Sequence, residues 1–129
     1  MRNYRELQVW SKAHNLTLDL YRVSRTFPRE EIYGITSQLR RAAASIGANL
    51  AEGCGHRTSS ELARFVRIAM GSASELDYHL LLCRGLGFMS GDDFTSSTTK
   101  LTEVRKMLTS FLSSVEEQLG MSSKGAGRA

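Results

Sequence analysis

Hydrophobic residues recur every three or four positions in four segments of this 129-residue chain. That spacing is the period of an α-helix buried along one side. The segments cover about residues 4–26, 29–53 and 59–85, with a fourth from Phe94 to Leu119. No sustained alternation of β-branched residues occurs, so the pattern predicts an all-α protein.

Residues that start and stop helices separate the segments. Capping boxes begin at Asn3 and Thr58, Pro28 ends the first helix, and glycines mark turns at residues 53–55 and 85–91. Four helices joined by such short turns pack as antiparallel neighbours. The predicted fold is an antiparallel up-and-down four-helix bundle over residues 1–119, followed by a disordered tail over 120–129.

The buried face of each predicted helix is defined by its apolar stripe. In the first helix the stripe is Leu7, Trp10, Ala13, Thr17, Leu20 and Ser24. In the second it is Ile32, Ile35, Leu39, Ala42, Ala43, Ile46 and Leu50. In the third it is Leu62, Phe65, Val66, Ala69, Ala73, Leu76, Leu80 and Cys83. The third helix also carries further apolar residues, namely Ile68, Met70, Tyr78, Leu81 and Leu82. This surplus must be buried in the domain or against another subunit, and we favour a second subunit for part of it.

A second, polar line accompanies the apolar stripe on the two middle helices. We call it the polar seam: Gln38, Arg41, Ser45, Asn49 and Glu52 on the second helix, with Arg64, Ser72 and Glu75 on the third. Glu61, Ile68 and His79 extend the third-helix line. Three interpretations are open: a solvated face, a contact between helices or subunits, or a ligand or catalytic site. Small Ser and Asn residues favour a contact, because a free helix surface is usually filled by better helix formers. Such a contact would pair Arg41 with Glu75, and Glu52 with Arg64 or His56.

Positive charge is concentrated in arginine and in the first half of the chain. The net charge is +4, and 13 of the 17 cationic residues are arginine. Residues 1–67 carry 11 cationic and 6 anionic side chains, and residues 68–129 carry 6 and 7. Arginine binds phosphate through a planar fork of donors, so RNA or DNA is a candidate partner. The candidate contacts are Arg22, Arg25, Arg29, Arg40, Arg57 and Arg67. Trp10, placed in the core, offers no stacking platform for bases.

Catalytic and metal-binding patterns find little support in the sequence. Bundles that hold two metal ions use Glu-x-x-His on two helices, and that motif does not occur. Cys54 and His56 lack a second pair of ligands for zinc. We therefore predict no catalytic residues, no metal, no cofactor and no small-molecule substrate. The absence of a long apolar run and of a signal-type start predicts a cytoplasmic protein with reduced cysteines.

Several motifs carry a resemblance to a known family. They are Leu7-Gln8-Val9-Trp10, Phe27-Pro28-Arg29-Glu30, Tyr33-Gly34, Gln38-Leu39-Arg40-Arg41-Ala42-Ala43, Asn49-Leu50-Ala51-Glu52-Gly53 and Gly71-Ser72-Ala73-Ser74-Glu75-Leu76. In this order they resemble the four helix bundle protein family, also known as the ribosomal RNA intervening-sequence protein family. Some members are encoded within intervening sequences of bacterial large-subunit ribosomal RNA genes.

The resemblance implies a bacterial bundle that assembles as a ring-shaped homopentamer. It implies association with RNA or DNA, on gene context and on a distant likeness to the accessory protein of diversity-generating retroelements, and it brings no catalytic residues. The family's motif positions fall on the polar seam. Gly47 departs from the family pattern, which is expected to loosen the second helix. The first hypothesis is a non-enzymatic oligomeric nucleic-acid-binding module, and the alternative is a protein-interaction scaffold without a nucleic-acid ligand.

Overall fold

The computed structural model describes the backbone of residues 2–128 and the side chains of residues 2–120. Four α-helices follow one another: α1 Gln8–Val23, α2 Ile35–Cys54, α3 Ser59–Gly85 and α4 Gly91–Arg128. Single turns of 3-10 helix cover Tyr4–Glu6, Ser24–Thr26 and Arg29–Glu31. No strand occurs between residues 2 and 128. The all-α prediction is confirmed.

The helices form a closed bundle. α2 packs most extensively on α3, α3 on α4, and α1 lies between α2 and α4. The short connections make consecutive helices antiparallel, as predicted. We call the end with residues 24–34 and 86–90 the upper end, and the end with residues 2–7 and 55–58 the lower end. None of the helices, over the residues described, is both long enough and apolar enough to cross a membrane.

The predicted core is confirmed on α2 and α3, apart from one residue. Every stripe residue from Ile35 to Leu50 and from Leu62 to Cys83 is buried. On α4, Leu101, Val104, Leu108 and Val115 are buried as well. Ile32 is the exception, because its side chain is 47% exposed. It lies in the connection before α2 instead of within the helix.

The start of α2 differs from the prediction because a side chain caps it. The chain was expected to be helical from Arg29, yet Arg29–Glu31 forms one 3-10 turn and α2 begins at Ile35. The Ile35 N–H donates to Glu31 Oε2 at 3.3 Å, which satisfies one of the first free donors of the helix. A Cβ at Gly34 would lie 2.6 Å from that oxygen. Glycine at position 34 therefore makes room for the cap.

The first helix also differs, both in its extent and in its buried face. The Tyr4–Glu6 turn is separate from α1, and Asn3 Oδ1 accepts from the Arg5 N–H at its start. The residues of α1 that are buried are Val9, Ala13, Leu16 and Leu20, so the sequence missed Val9 and Leu16. Trp10 and Thr17 are half-buried on the flank toward α2. The true stripe is rotated away from the predicted one.

The starts of α3 and α4, and the end of α3 at Gly85, agree with the prediction. Thr58 Oγ1 accepts from the Glu61 N–H at 3.2 Å and caps α3, and Ser90 Oγ accepts from the Asp93 N–H at 3.1 Å at the start of α4. The predicted domain end at residue 119 and the disorder of residues 120–129 stay predictions. Side chains beyond Gly120 lie outside the described residues.

Candidate functional site

The two lines of the polar seam meet in the middle of the bundle. Ser45 Oγ on α2 and Ser72 Oγ on α3 lie 2.8 Å apart. Asn49 Nδ2 donates to Ser45 Oγ at 3.0 Å and to the Ser45 carbonyl at 2.8 Å. All three side chains are half-buried. The centre of the seam is therefore a contact between two helices, which is one of the three interpretations that the sequence left open.

The ion pairs expected across the seam do not form within the chain. Arg64 pairs with Glu61 at 3.1 Å on its own helix, and Glu75 pairs with His79 at 3.1 Å. Residues three or four positions apart are neighbours on the surface of one helix. These pairs therefore do not connect α2 with α3, and they form in place of the predicted pairs. Arg64 holds the pKa of Glu61 below its usual range through a hydrogen bond. Within one chain, Arg41 therefore does not pair with Glu75, and Glu52 does not pair with Arg64 or His56. Pairing of these residues between subunits stays a prediction.

The remaining members of the seam on α2 face solvent. Gln38, Arg41 and Glu52 are exposed, and none of the three makes a side-chain hydrogen bond or an ion pair with the described side chains of residues 2–120. The lower part of the seam holds Glu52, whereas Glu75 lies in the upper half of α3. A shared carboxylate site of Glu52, Glu75 and His79 is thus not assembled.

His79, which extends the polar line on α3, is buried. Its ring is 6% exposed, Nε2 contacts Glu75 Oε1 at 3.1 Å, and Nδ1 has no hydrogen-bond partner. The hydroxyl of Thr36 on α2 is also buried without a partner. No group of three or more His, Cys, Asp or Glu side chains suited to a metal ion occurs in the part of the chain that was described.

The candidate nucleic-acid arginines lie near both ends of the bundle. Three of them have side-chain partners. Arg22 pairs with Asp19, Arg67 pairs with Glu116 at 3.1 Å, and Arg40 donates to Ser24 Oγ at 2.8 Å. Arg40 also lies over the Tyr21 ring at 4.8 Å, which holds its guanidinium against α1.

Three of the candidate arginines are free. Arg25 and Arg29 lie at the upper end, on either side of the Phe27-Pro28 corner, and Arg57 lies at the lower end. All three are exposed, and they form no ion pair with any carboxylate described in residues 2–120. The six predicted contacts therefore do not make one continuous patch.

A groove between α1 and α2 was missed by the sequence analysis. It has a volume of about 440 Å³. Aromatic side chains form one wall of the groove, and small residues of α2 form its floor. The lining residues are Tyr4, Trp10, His14, Thr17, Leu18, Tyr21, Ala44, Gly47, Ala48 and Ala51. The helical spacing of the small residues at 44, 47, 48 and 51 was the one available signal. It was hidden because the same helix also uses alanine in its core.

Trp10 is the centre of the aromatic wall, not a core residue as predicted. Its ring stacks on His14 at 4.8 Å and 9°, and Tyr4 meets it edge-on at 5.0 Å. A Cβ at Gly47 would lie 3.3 Å from Trp10 Nε1, so the glycine lets the indole lie close to α2. The ring is half-buried and lines an open groove, and one of its faces is already stacked on His14.

The two cysteines are buried free thiols. Burial raises the pKa of Cys54, and it raises the pKa of Cys83 from 9.0 to about 11. A thiol is nucleophilic only when ionised, so both side chains behave as small apolar residues at neutral pH. They lie at opposite ends of the bundle, Cys54 at the lower end and Cys83 at the upper end.

Known proteins share this architecture. The family model described as 23S rRNA-intervening sequence protein matches residues 5–110. A solved protein of unknown function from the S23 ribosomal protein family of Bacteroides thetaiotaomicron superimposes with a TM-score of 0.75 at 23% identity. The superposition covers 81% of this chain and 95% of that one, and at this identity it shows a shared fold. No curated protein sequence matches the chain.

Proposed function

The chain belongs to the 23S rRNA-intervening sequence protein family, and from this premise we propose that it is a non-enzymatic, self-assembling bundle that binds RNA through exposed arginines. The description of the family connects its members with intervening sequences of 23S rRNA. The proposal places the protein in the cytoplasm, where its two thiols stay reduced. Assembly into a ring of five follows the resemblance noted in the sequence.

The RNA-binding part rests on the free arginines of the upper end. Arg25 and Arg29 are exposed and have no carboxylate partner among the described residues, so their donors are available to phosphate. Guanidinium groups bind phosphate oxygens through two parallel hydrogen bonds. A ring of identical subunits would repeat this pair of cations around its axis, which multiplies the number of phosphate contacts.

The self-assembly part rests on the exposed apolar residues of α3. Tyr78 and Leu81 are each 59% exposed and Ile68 is 40% exposed. An apolar surface of this kind on one helix face is typical of a protein contact. Self-assembly predicts a mass in solution of several times 14.3 kDa, and the ring of five predicts five times that mass. Light scattering at micromolar concentration measures it.

The absence of catalysis is the third part of the proposal. Glu75 and His79 form a hydrogen-bonded pair, but no serine or threonine hydroxyl or cysteine thiol contacts the ring among the described side chains. Nucleophilic catalysis needs a nucleophile within hydrogen-bond reach of the base. The pair is better explained as a means of satisfying one nitrogen of a buried histidine.

The RNA-binding proposal is tested by salt dependence. Loss of two phosphate contacts lowers the slope of log affinity against log salt by about 1.4 for single-stranded RNA. We expect this change for the double variant Arg25→Gln with Arg29→Gln, measured on large-subunit ribosomal RNA fragments. Lys12→Gln with Lys106→Gln removes the same charge from other surfaces and is the control.

Equal slopes for the two double variants would contradict the assignment to Arg25 and Arg29. A wild-type affinity that does not change with salt would contradict RNA binding itself and favour the alternative, a scaffold that binds proteins. The exposed apolar surface of α3 is the observation that supports this alternative.

A further inference from the structure

None of the side chains described in residues 2–120 fills the groove between α1 and α2. Its floor consists of Ala44, Gly47, Ala48 and Ala51, whose side chains are too small to fill the space beside the aromatic wall. Leu18 and Tyr21 on the wall are 44% and 41% exposed. A floor of small residues lets the backbone of another helix approach closely, and apolar walls then receive its large side chains.

The exposed face of α3 has the opposite shape. We call it the α3 ridge: Ile68, Gly71, Glu75, Tyr78 and Leu81, which follow one another at three or four residues and are all exposed. Tyr78 and Leu81 project from the surface at 59% exposure each. A Cβ at Gly71 would meet nothing within 4 Å, so the ridge is bare at its centre.

Groove and ridge together hold most of the exposed large apolar side chains. Among the residues described there are eight such side chains, and five belong to these two surfaces: Leu18, Tyr21, Ile68, Tyr78 and Leu81. The other three lie in the connections at the upper end. The α1 wall of the groove from Trp10 to Tyr21 and the ridge from Ile68 to Leu81 each run along three to four helical turns, or ~15–20 Å at the rise of an α-helix. Their lengths therefore match.

From this complementarity we infer that the groove between α1 and α2 receives the α3 ridge of a second copy of the chain. The inference deepens the proposed self-assembly and rests on it. Because the two surfaces belong to different helices, each subunit offers a ridge to one neighbour and a groove to another. A contact of this head-to-tail kind closes into a ring when its rotation permits and otherwise continues as a filament.

Charge complementarity supports a second copy as the occupant. Arg41 lies one turn before Ala44 on α2, is exposed, and has no ion pair with any described carboxylate. Glu75 lies on the ridge one turn before Tyr78, and its side chain is 60% exposed although it pairs with His79. The two residues do not meet within one chain. Docking of a ridge into a groove would bring a free cation and an exposed carboxylate to the same contact.

Two single variants test the assignment, one on each surface. Ala48→Glu fills and charges the groove, and Tyr78→Ala removes the largest side chain of the ridge. Both residues are exposed on helices, so the fold tolerates the changes. Removal of a buried aromatic anchor typically weakens a protein contact by ~10–100-fold. We expect dissociation constants to rise by that factor in sedimentation equilibrium for either variant.

Matched controls separate these effects from general ones. Tyr33→Ala removes the same side chain from a site that is 95% exposed at the upper end, and Ser113→Glu adds the same charge on α4. Both controls should assemble as the wild type does. A mixture of Ala48→Glu with Tyr78→Ala should form a one-to-one dimer, because one variant keeps an intact ridge and the other an intact groove.

The outcomes separate this inference from the proposed function. A monomeric wild type overturns both the self-assembly and the docking. A wild type that assembles, together with two surface variants that assemble equally well, overturns only the docking. Loss of RNA binding in Ala48→Glu with unchanged assembly also overturns it, since the groove would then hold bases. Weakened assembly of both variants, normal controls and a dimer in the mixture support it.

Discussion

The hydroxyls of Ser45 and Ser72 meet at 2.8 Å where α2 and α3, the most extensively packed helices of the bundle, cross. Apolar contacts alone tolerate small sliding of one helix along another, whereas two hydroxyls are satisfied together at one register. Asn49 donates to Ser45 Oγ at 3.0 Å, which restricts the hydroxyl further. We therefore interpret the centre of the polar seam as a device that fixes the register of α2 against α3.

The hydroxyl pair predicts a measurable coupling energy. In a double-mutant cycle of Ser45→Ala and Ser72→Ala, the free energies of unfolding should differ from additivity by ~0.5–1.5 kcal/mol, the usual net value of one hydrogen bond. Urea denaturation of the four proteins measures it. Ser96→Ala on the exposed face of α4 is the control and should leave stability nearly unchanged. Strict additivity in the cycle would show that the hydroxyls do not interact in solution.

Two glycines in helices predict opposite effects of the same substitution. A Cβ at Gly53 would lie 2.8 Å from Phe65 Cβ and 3.1 Å from Leu62 Cδ1, so Gly53→Ala forces α2 and α3 apart and should cost ~1–3 kcal/mol. Gly71 faces open space on α3, and Gly71→Ala should stabilise the monomeric fold by ~0.5–1 kcal/mol through helix propensity. Thermal or urea unfolding decides the signs. Equal effects at both sites would contradict the close packing at Gly53.

The extent to which the sequence predicted the fold depended on the helix. α2 and α3 each bury one continuous stripe with three-or-four spacing, and both were predicted correctly from Ile35 to Leu50 and from Leu62 to Cys83. In α1 the apolar residues cover a wider arc, and Trp10 was assigned to the core. The sequence alone does not show that Gly47 on another helix leaves room for the indole at the surface.

The sequence predicted a polar contact between α2 and α3 but not the ion-pair partners of the charged residues beside it. The meeting of Ser45 with Ser72 agreed with a contact interpretation of the seam. The ion pair between Arg41 and Glu75 does not form within the chain, where Glu75 has a partner four residues away on its own helix. The α1–α2 groove depends on the relative placement of two helices, which periodicity within each helix does not contain.

An ion pair between α1 and α4 predicts a pH-dependent contribution to stability. Lys100 Nζ donates to Asp19 at 2.7 Å, and this hydrogen bond lowers the pKa of Asp19 below 3.8. Because the folded pKa lies below the unfolded one, the stabilisation is present above pH 3.8 and is lost as the pH falls through the folded value. Lys100→Met should cost ~0.5 kcal/mol at neutral pH, the value of a partly exposed pair.

The Lys100→Met difference should shrink as the pH falls below 3.8 and through the lowered pKa of Asp19, where the carboxylate becomes neutral. Lys106→Met on the same helix serves as the control, since Lys106 forms no ion pair among the side chains described. Urea unfolding across this pH range measures both variants. A difference between wild type and Lys100→Met that stays constant with pH would contradict the role of the Asp19 carboxylate.

The buried thiol of Cys83 predicts a loss of stability in alkali. Burial raises its pKa from 9.0 to about 11, and a raised folded pKa gives stability that is complete below pH 9.0 and disappears as the pH rises toward 11. The full contribution corresponds to ~2–3 kcal/mol for a thiol pKa raised from 9.0 to about 11. Cys83→Ala lacks this titration, so the stability of the wild type relative to the variant should fall across that range. Comparison of the two proteins cancels the tyrosine and lysine titrations that they share.

Alkylation by iodoacetamide at neutral pH gives an independent check, because native Cys83 should react far more slowly than the urea-unfolded chain. A relative stability independent of pH, together with rapid native alkylation, would mean that the thiol is accessible and the upper end of α3 opens.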